Sequence, residues 1–330
     1  MSTKREAYLC LSAMLRAREG KLVTNDRAGR MLDAGSFDEC AKLLTDCGYA
    51  DMSQMSAKEI EAYLSAHRDE LFAELEKLAP DKAIVDVFRM KYDYHNAKAL
   101  IKAEAVGQDA KKLLSGSGRI APEKLTMLYT EEKLSELPKL LADAIAEAKS
   151  VLARTANPQL ADFILDRAYF AEIRETAKAV QCAYLDGYAD ILTDATNLKS
   201  AVRTLRMGKG TEFMDEALIP NGSVSADRIL NAGDREGIAA LFASTGLEQA
   251  AALGAEAVDG GSMTSFELAC DNAVNVYLKK AKLVSYGPEA LIAYLAAVES
   301  EITAVRMILT GRLAGIEPDV IRERLRDMYA

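Results

Sequence analysis

The chain has 330 residues, half of them apolar and only 6% aromatic, with no tryptophan and a formal charge of −9. A chain of this size and apolar content can bury several cores, and its abundant Ala, Leu, Glu, Lys, Arg and Met favour helix over strand. The acidic balance argues against nucleic acid as the main partner, because phosphate demands a basic face.

The first predicted element covers residues 5–19, where Leu9, Met14 and Leu15 recur among Arg and Glu at helical spacing. This start lacks the long apolar run and small-residue cleavage site of a secretion signal. Residues 57–78 predict a second helix. Residues 82–106, 131–152, 159–206, 264–284 and 288–314 predict longer ones, some of them interrupted. No sustained period-two Val/Ile/Thr run marks a strand, so the class is all-α. Gly116-Ser117-Gly118, Pro220-Asn221-Gly222 and Gly260-Gly261 read as turns. No window approaches about 18 uncharged apolar residues, so no membrane span is expected. Five cysteines without CxxC spacing read as reduced, mostly buried thiols of a cytoplasmic protein.

The strongest pattern is a repeat. Asp93-Tyr94-His95-Asn96-Ala97-Lys98, followed by Lys102 and Gly107, returns as Asp194-Ala195-Thr196-Asn197-Leu198-Lys199, followed by Arg203 and Gly208. A weaker echo keeps Ser300, Ile302, Arg306 and Gly311 and has lost the acid and the lysine. A second element marks joints: Val23-Thr24-Asn25-Asp26, Ile120-Ala121-Pro122-Glu123, Val224-Ser225-Ala226-Asp227 and Ile316-Glu317-Pro318-Asp319. Each reads as a helix start, with a capping hydroxyl or a first-turn proline and an acid at the positive dipole end. Leu32-Asp33-Ala34-Gly35 also returns as Leu230-Asn231-Ala232-Gly233. The period of about 100 residues predicts three similar helical units, at 1–117, 118–221 and 222–330. Helix 5–19 and the last fifteen residues fall outside the joints and are expected near each other.

No complete catalytic signature is present. Gly208-Lys209-Gly210-Thr211 ends like a P-loop, but Arg203 stands where its first glycine belongs and no strand precedes it. His67 and His95 are the only histidines. Neither belongs to a metal-binding pair; His67 reads as solvated and His95 as structural. Asp162 with Asp166, and Glu267 with Asp271, share helix faces at i, i+4. Such pairs could bind a hard cation or work as acid and base; the favoured reading is an acidic face meeting a basic partner or the Arg/Lys of another helix. The Asp93/Asn96/Lys98 and Asp194/Asn197/Lys199 triplets, with Arg306 in the third echo, cannot all share one helix face. They satisfy helix ends or bridge units, or one row lines an interior surface that contacts a partner, or both.

The C-terminal third carries a resemblance. Tyr286-Gly287-Pro288-Glu289-Ala290-Leu291-Ile292-Ala293-Tyr294-Leu295 leads into Glu299-Ser300-Glu301-Ile302, Val305-Arg306-Met307-Ile308-Leu309, Gly311-Arg312-Leu313 and Ile321-Arg322-Glu323-Arg324-Leu325. This resembles the end of the C subunits of bacterial and archaeal V/A-type ATPases, a family whose eukaryotic relatives are the d subunits. Ala290 replaces the usual proline and Ser300 the usual asparagine. The resemblance implies an all-helical funnel with pseudo-threefold symmetry and a non-catalytic rotor role without a cofactor. It also implies two partners: the central shaft made by the D and F subunits, whose tip enters the hollow, and the membrane proteolipid ring beneath. Its place would be the cytoplasmic face of the membrane. On that reading Asp162, Asp166, Glu267 and Asp271 face the socket or the seams between units. Without the family, the competing expectations are a helical-repeat adaptor and an all-α enzyme using the acid pairs with Mg²⁺; the absence of DDxxD counts against the latter.

Overall fold

The structure, a computed structural model, describes residues 2–330 and is all-helical, with no strand among the described residues. Its contacts divide into two compact units: Met1–Lys82 with Phe242–Ala330, and Ala83–Leu241. The first unit is thus built from both ends of the chain.

The first unit begins with α1 (Ser2–Glu6), α2 (Leu9–Glu19), α3 (Asn25–Asp33), α4 (Phe37–Lys42) and α5 (Ala57–Leu78). The chain continues through the second unit as α6 (Ala83–Ala105), α7 (Pro122–Thr130), α8 (Lys139–Thr155), α9 (Pro158–Val180), α10 (Ala183–Arg206), α11 (Thr211–Ala217), α12 (Ala226–Asn231) and α13 (Arg235–Phe242). It completes the first unit with α14 (Glu248–Val258), α15 (Met263–Lys279), α16 (Pro288–Leu313) and α17 (Pro318–Arg322).

The four joints are helix starts. Thr24 and Ser225 cap α3 and α12 by accepting from the amides of Arg27 and Arg228, while Pro122 and Pro318 open α7 and α17. The expected 159–206 helix is two helices, because Gln181 takes a left-handed conformation that closes α9. The 131–152 helix starts later, at Lys139, after a 3₁₀ turn over Leu134–Glu136. The 264–284 helix ends at Lys279 and continues as a 3₁₀ turn over Lys280–Leu283.

α16 is the axis of the first unit. It is apolar on nearly every side, which suits a helix enclosed by others, and it packs on α2, α3, α4, α5, α15 and α17. The terminal segments meet as expected: the amide of Met328 donates to Asn25, and the hydroxyl of Tyr329 donates to Glu19. In the second unit α9 lies along α8 and α6 and also contacts α10. Its core includes Ile101, Leu125, Leu128, Leu141, Ile145 and Leu165.

Candidate functional site

The repeated Asp and Asn sit on α6 and α10, buried, and they grip the chain that returns from each helix. Asn96 Nδ2 donates to the carbonyl of Ser115 at 2.9 Å, while Asn96 Oδ1 accepts from the amide of the same residue at 2.8 Å. Asn197 does the same to Ile219, both bonds at 2.8 Å. One side-chain amide thus satisfies both polar groups of one backbone residue. Asp93 Oδ1 accepts from the amide of Ile120 at 3.1 Å, and Asp194 Oδ1 from the amide of Val224 at 3.2 Å. Ile120 and Val224 are the first residues of the second and third joints.

Two glycines make room for this clamp. A Cβ at Gly118 or at Gly222 would run into the carboxylate of Asp93 or Asp194, closer than real atoms approach. Each glycine stands two residues before its clamped amide. A Gly-x-Ile/Val pattern ahead of each joint was therefore the signal that sequence reasoning missed.

The third copy has lost the acid of the motif, as its sequence indicates, but not the clamp. Aligned through Arg203 with Arg306 and Gly208 with Gly311, it has Ala297 where the others have Asp93 and Asp194. One turn further along, Glu301 supplies the carboxylate instead. Its Oε2 accepts from the amide of Val23 at 2.5 Å and its Oε1 from the hydroxyl of Tyr49 at 2.6 Å. Val23 opens the first joint. The last long helix therefore holds the start of the chain, and the three clamps serve the joints at Val23, Ile120 and Val224.

The electrostatics of the clamps differ. Asp93 Oδ2 accepts from Arg119 Nε at 2.6 Å, and Arg119 also reaches Glu172 at 2.6 Å. Burial pushes the Asp93 carboxyl above its ordinary range and Arg119 opposes that shift. Asp194 has the hydroxyl of Ser223 in place of a cation, and burial pushes it up as well. Glu301 has only its two neutral donors, and burial pushes it up to about 7. His67, expected in solvent, is partly buried against Tyr49 and Tyr63, with ring centroids 4.9 and 5.9 Å away, and burial pushes it down.

The other face of α6 meets the acid row of α9 in a ladder. Tyr94 donates to Glu172 at 2.8 Å, Lys98 to Asp166 at 2.6 Å and Lys102 to Asp162 at 2.6 Å. The rungs run up one helix and down the other, so α6 and α9 are antiparallel. Lys199 is partly buried on α10. Glu267 lines a cleft of about 290 Å³ with Thr264, Leu268, Met307, Arg324 and Arg326, and Asp271 accepts from Arg326 at 2.6 Å. Arg306 reaches from α16 to Glu61 of α5 at 2.6 Å. The structure thus divides the candidates: Asp93, Asn96, Asp194 and Asn197 face returning chain, Lys98, Asp162, Asp166 and Arg306 pair with neighbouring helices, Asp271 pairs with the C-terminal segment, and Glu267 lines a cleft. No group of three or more His, Cys, Asp or Glu among the described residues could hold a metal ion, and none of the described helices is long and apolar enough to cross a membrane.

The family described as ATP synthase (C/AC39) subunit matches residues 11–324. The chain belongs to that family. Among its relatives, the C subunit of the V-type sodium ATPase of Enterococcus hirae is 27% identical, over 98% of this chain and 99% of that protein. The C subunit of the A-type ATP synthase of Methanocaldococcus jannaschii is 25% identical, over 96% of this chain and 86% of that protein. Its counterpart in the V-type ATP synthase of Thermus thermophilus is 25% identical, over 93% and 94% respectively. Membership makes the chain a V/A-type C subunit, a structural component of an ATP synthase complex. Clamps that join helix to backbone suit such a component.

Proposed function

We propose that the chain is a non-catalytic rotor component, a socket that couples the central shaft of D and F subunits to the membrane proteolipid ring. Its place is the cytoplasmic face of the membrane, peripheral to it, and it serves ATP-linked H⁺ or Na⁺ transport. In this reading the chain works as three units, 1–117, 118–221 and 222–330, arranged as a funnel about a pseudo-threefold axis. The tripled carboxylate clamp carries the proposal beyond family membership. A part that transmits torque must not yield, and each clamp fastens a long helix to the start of a joint through buried hydrogen bonds.

The acids of α9 and α15 are the proposed contacts at the socket or the seams. The test is capture of the purified chain by a D–F shaft, and separately by a detergent-solubilised proteolipid ring. Alanine at Asp162, Asp166, Glu267 and Asp271 should weaken shaft capture and spare ring capture. Failure of the unsubstituted chain to bind either partner would overturn the rotor reading. Unchanged shaft affinity in all four variants would sink only the assignment of those residues.

A further inference from the structure

The end of α15 and the turn after it form a basic, apolar projection on an acidic protein. Lys279, Lys280 and Lys282 fall within four residues, followed by Leu283 and Tyr286. Leu283 is 89% exposed, more than any other large apolar side chain described; Val276 is 64% exposed and Tyr286 37%. Slack chain does not explain this exposure. Ala281 is fully buried, and Arg16 of α2 donates to the carbonyls of both Ala281 and Val284. Arg5 donates to the carbonyl of Tyr286, and the amide of Gly287 donates to Ser12. With the turn pinned at these points, Leu283 is held outward. Leu9, 47% exposed, lies on the same pinning helix.

The charge is equally uncompensated. The Lys282 ammonium donates to the carbonyl of Tyr329 at 2.8 Å, and the Lys280 ammonium lies 4.9 Å from the centre of the Tyr277 ring. Among the described residues none of the three lysines bonds a carboxylate, and Glu19, the nearby acid, is engaged by Arg16. Burial, and then the like charge of Lys279, push the Lys282 ammonium down, against the pull of Glu19.

We propose that this projection, Lys279 to Tyr286, docks on an anionic lipid surface, with Leu283 entering the interface and the lysines meeting the headgroups. The shape favours a membrane over an acidic protein. A projecting leucine needs a matching pocket on a protein partner, whereas a bilayer receives it without one. Lysines beside it gain from the negative surface potential, and a tyrosine suits the headgroup level. The inference is independent of the shaft and ring contacts, so its failure leaves the rotor reading untouched.

The test is co-sedimentation of the full chain with vesicles of phosphatidylglycerol in phosphatidylcholine, and with phosphatidylcholine alone. Binding should require the anionic lipid and fall as salt rises from about 0.05 to about 0.5 M. The K279E/K280E variant should bind roughly tenfold more weakly or worse, and L283S about fivefold more weakly. Both variants alter exposed or partly exposed positions, and an unchanged melting temperature confirms their fold. Absence of binding to anionic vesicles, equal binding to neutral ones, or wild-type binding by K279E/K280E would overturn the proposal. Capture by poly-glutamate without vesicle binding would also overturn it and reassign the patch to an acidic protein.

Discussion

The two units fasten their joints with the same contact but close it over very different lengths of chain. In the second unit the carboxylate and its amide are 27 and 30 residues apart, so each helix grips chain that returns to it shortly afterwards. In the first unit the separation is 278 residues, and the last long helix grips the first joint. The local clamps use a short acid, which comes so close that glycine is required at 118 and 222. The distant clamp uses a longer acid from one turn further along, and Lys21 stands where the others have glycine. One backbone requirement is thus met by two side-chain solutions. Charge does not follow this division: Arg119 neutralises Asp93, whereas Asp194 and Glu301 are held by neutral donors.

Breaking the compensated clamp should have the largest effect. Asp93→Ala removes the acceptor of the Ile120 amide and strips Arg119 of one of its two acids; a loss of about 3–4 kcal/mol is expected, read by urea unfolding. A loss below about 1 kcal/mol would show that Glu172 alone satisfies the site.

The clamp of Glu301, which like that of Asp194 has no cation, should reveal itself through pH. An ordinary glutamate ionises near 4.5, and folded Glu301 near 7, so the folded state holds an extra proton between these values. Its contribution is fully present below pH 4.5 and is lost as pH rises through about 7, a fall of roughly 3 kcal/mol. Glu301→Gln can still accept from Val23 and donate to Tyr49, and it should remove most of that fall. A residual slope of the same sign is expected from Asp93 and Asp194, both also pushed up by burial. Equal pH profiles for wild type and variant would contradict the comparison.

A smaller effect should follow from restoring a side chain where the short acid needs room. Gly222→Ala forces Asp194 away from Val224 and should cost about 2 kcal/mol, whereas Lys21→Gly should not stabilise the clamp at Val23. Thermal melts compare the two. The smallest effect belongs to the ladder: Lys102→Ala breaks a partly exposed ion pair and should change stability by less than about 1 kcal/mol.

Much of this architecture was legible in the sequence, for identifiable reasons. Helix starts depend on local chemistry, so Thr24, Ser225, Pro122 and Pro318 revealed them directly. The repeated Asp and Asn were visible because the two local clamps keep the same residues in register. The role of Glu301 was hidden twice. It lies off the repeat register, and its partners Val23 and Tyr49 are distant in sequence, so no spacing connects them. His67 was misread because Tyr49, the nearer of the two rings that shelter it, comes from outside its own helix. The ladder of Lys98 and Lys102 with Asp166 and Asp162 was half legible. Periodicity placed each row on a face, but which helices would meet is a tertiary fact.

The central claim, that three carboxylates hold three joints and that each clamp acts locally, is tested most directly by amide hydrogen exchange at Val23, Ile120 and Val224. All three amides should be strongly protected in the wild type. In Glu301→Ala the protection of Val23 should fall at least about tenfold, while Ile120 and Val224 stay protected because their clamps lie in the other unit. Unchanged protection at Val23, or equal loss at all three amides, would contradict the account.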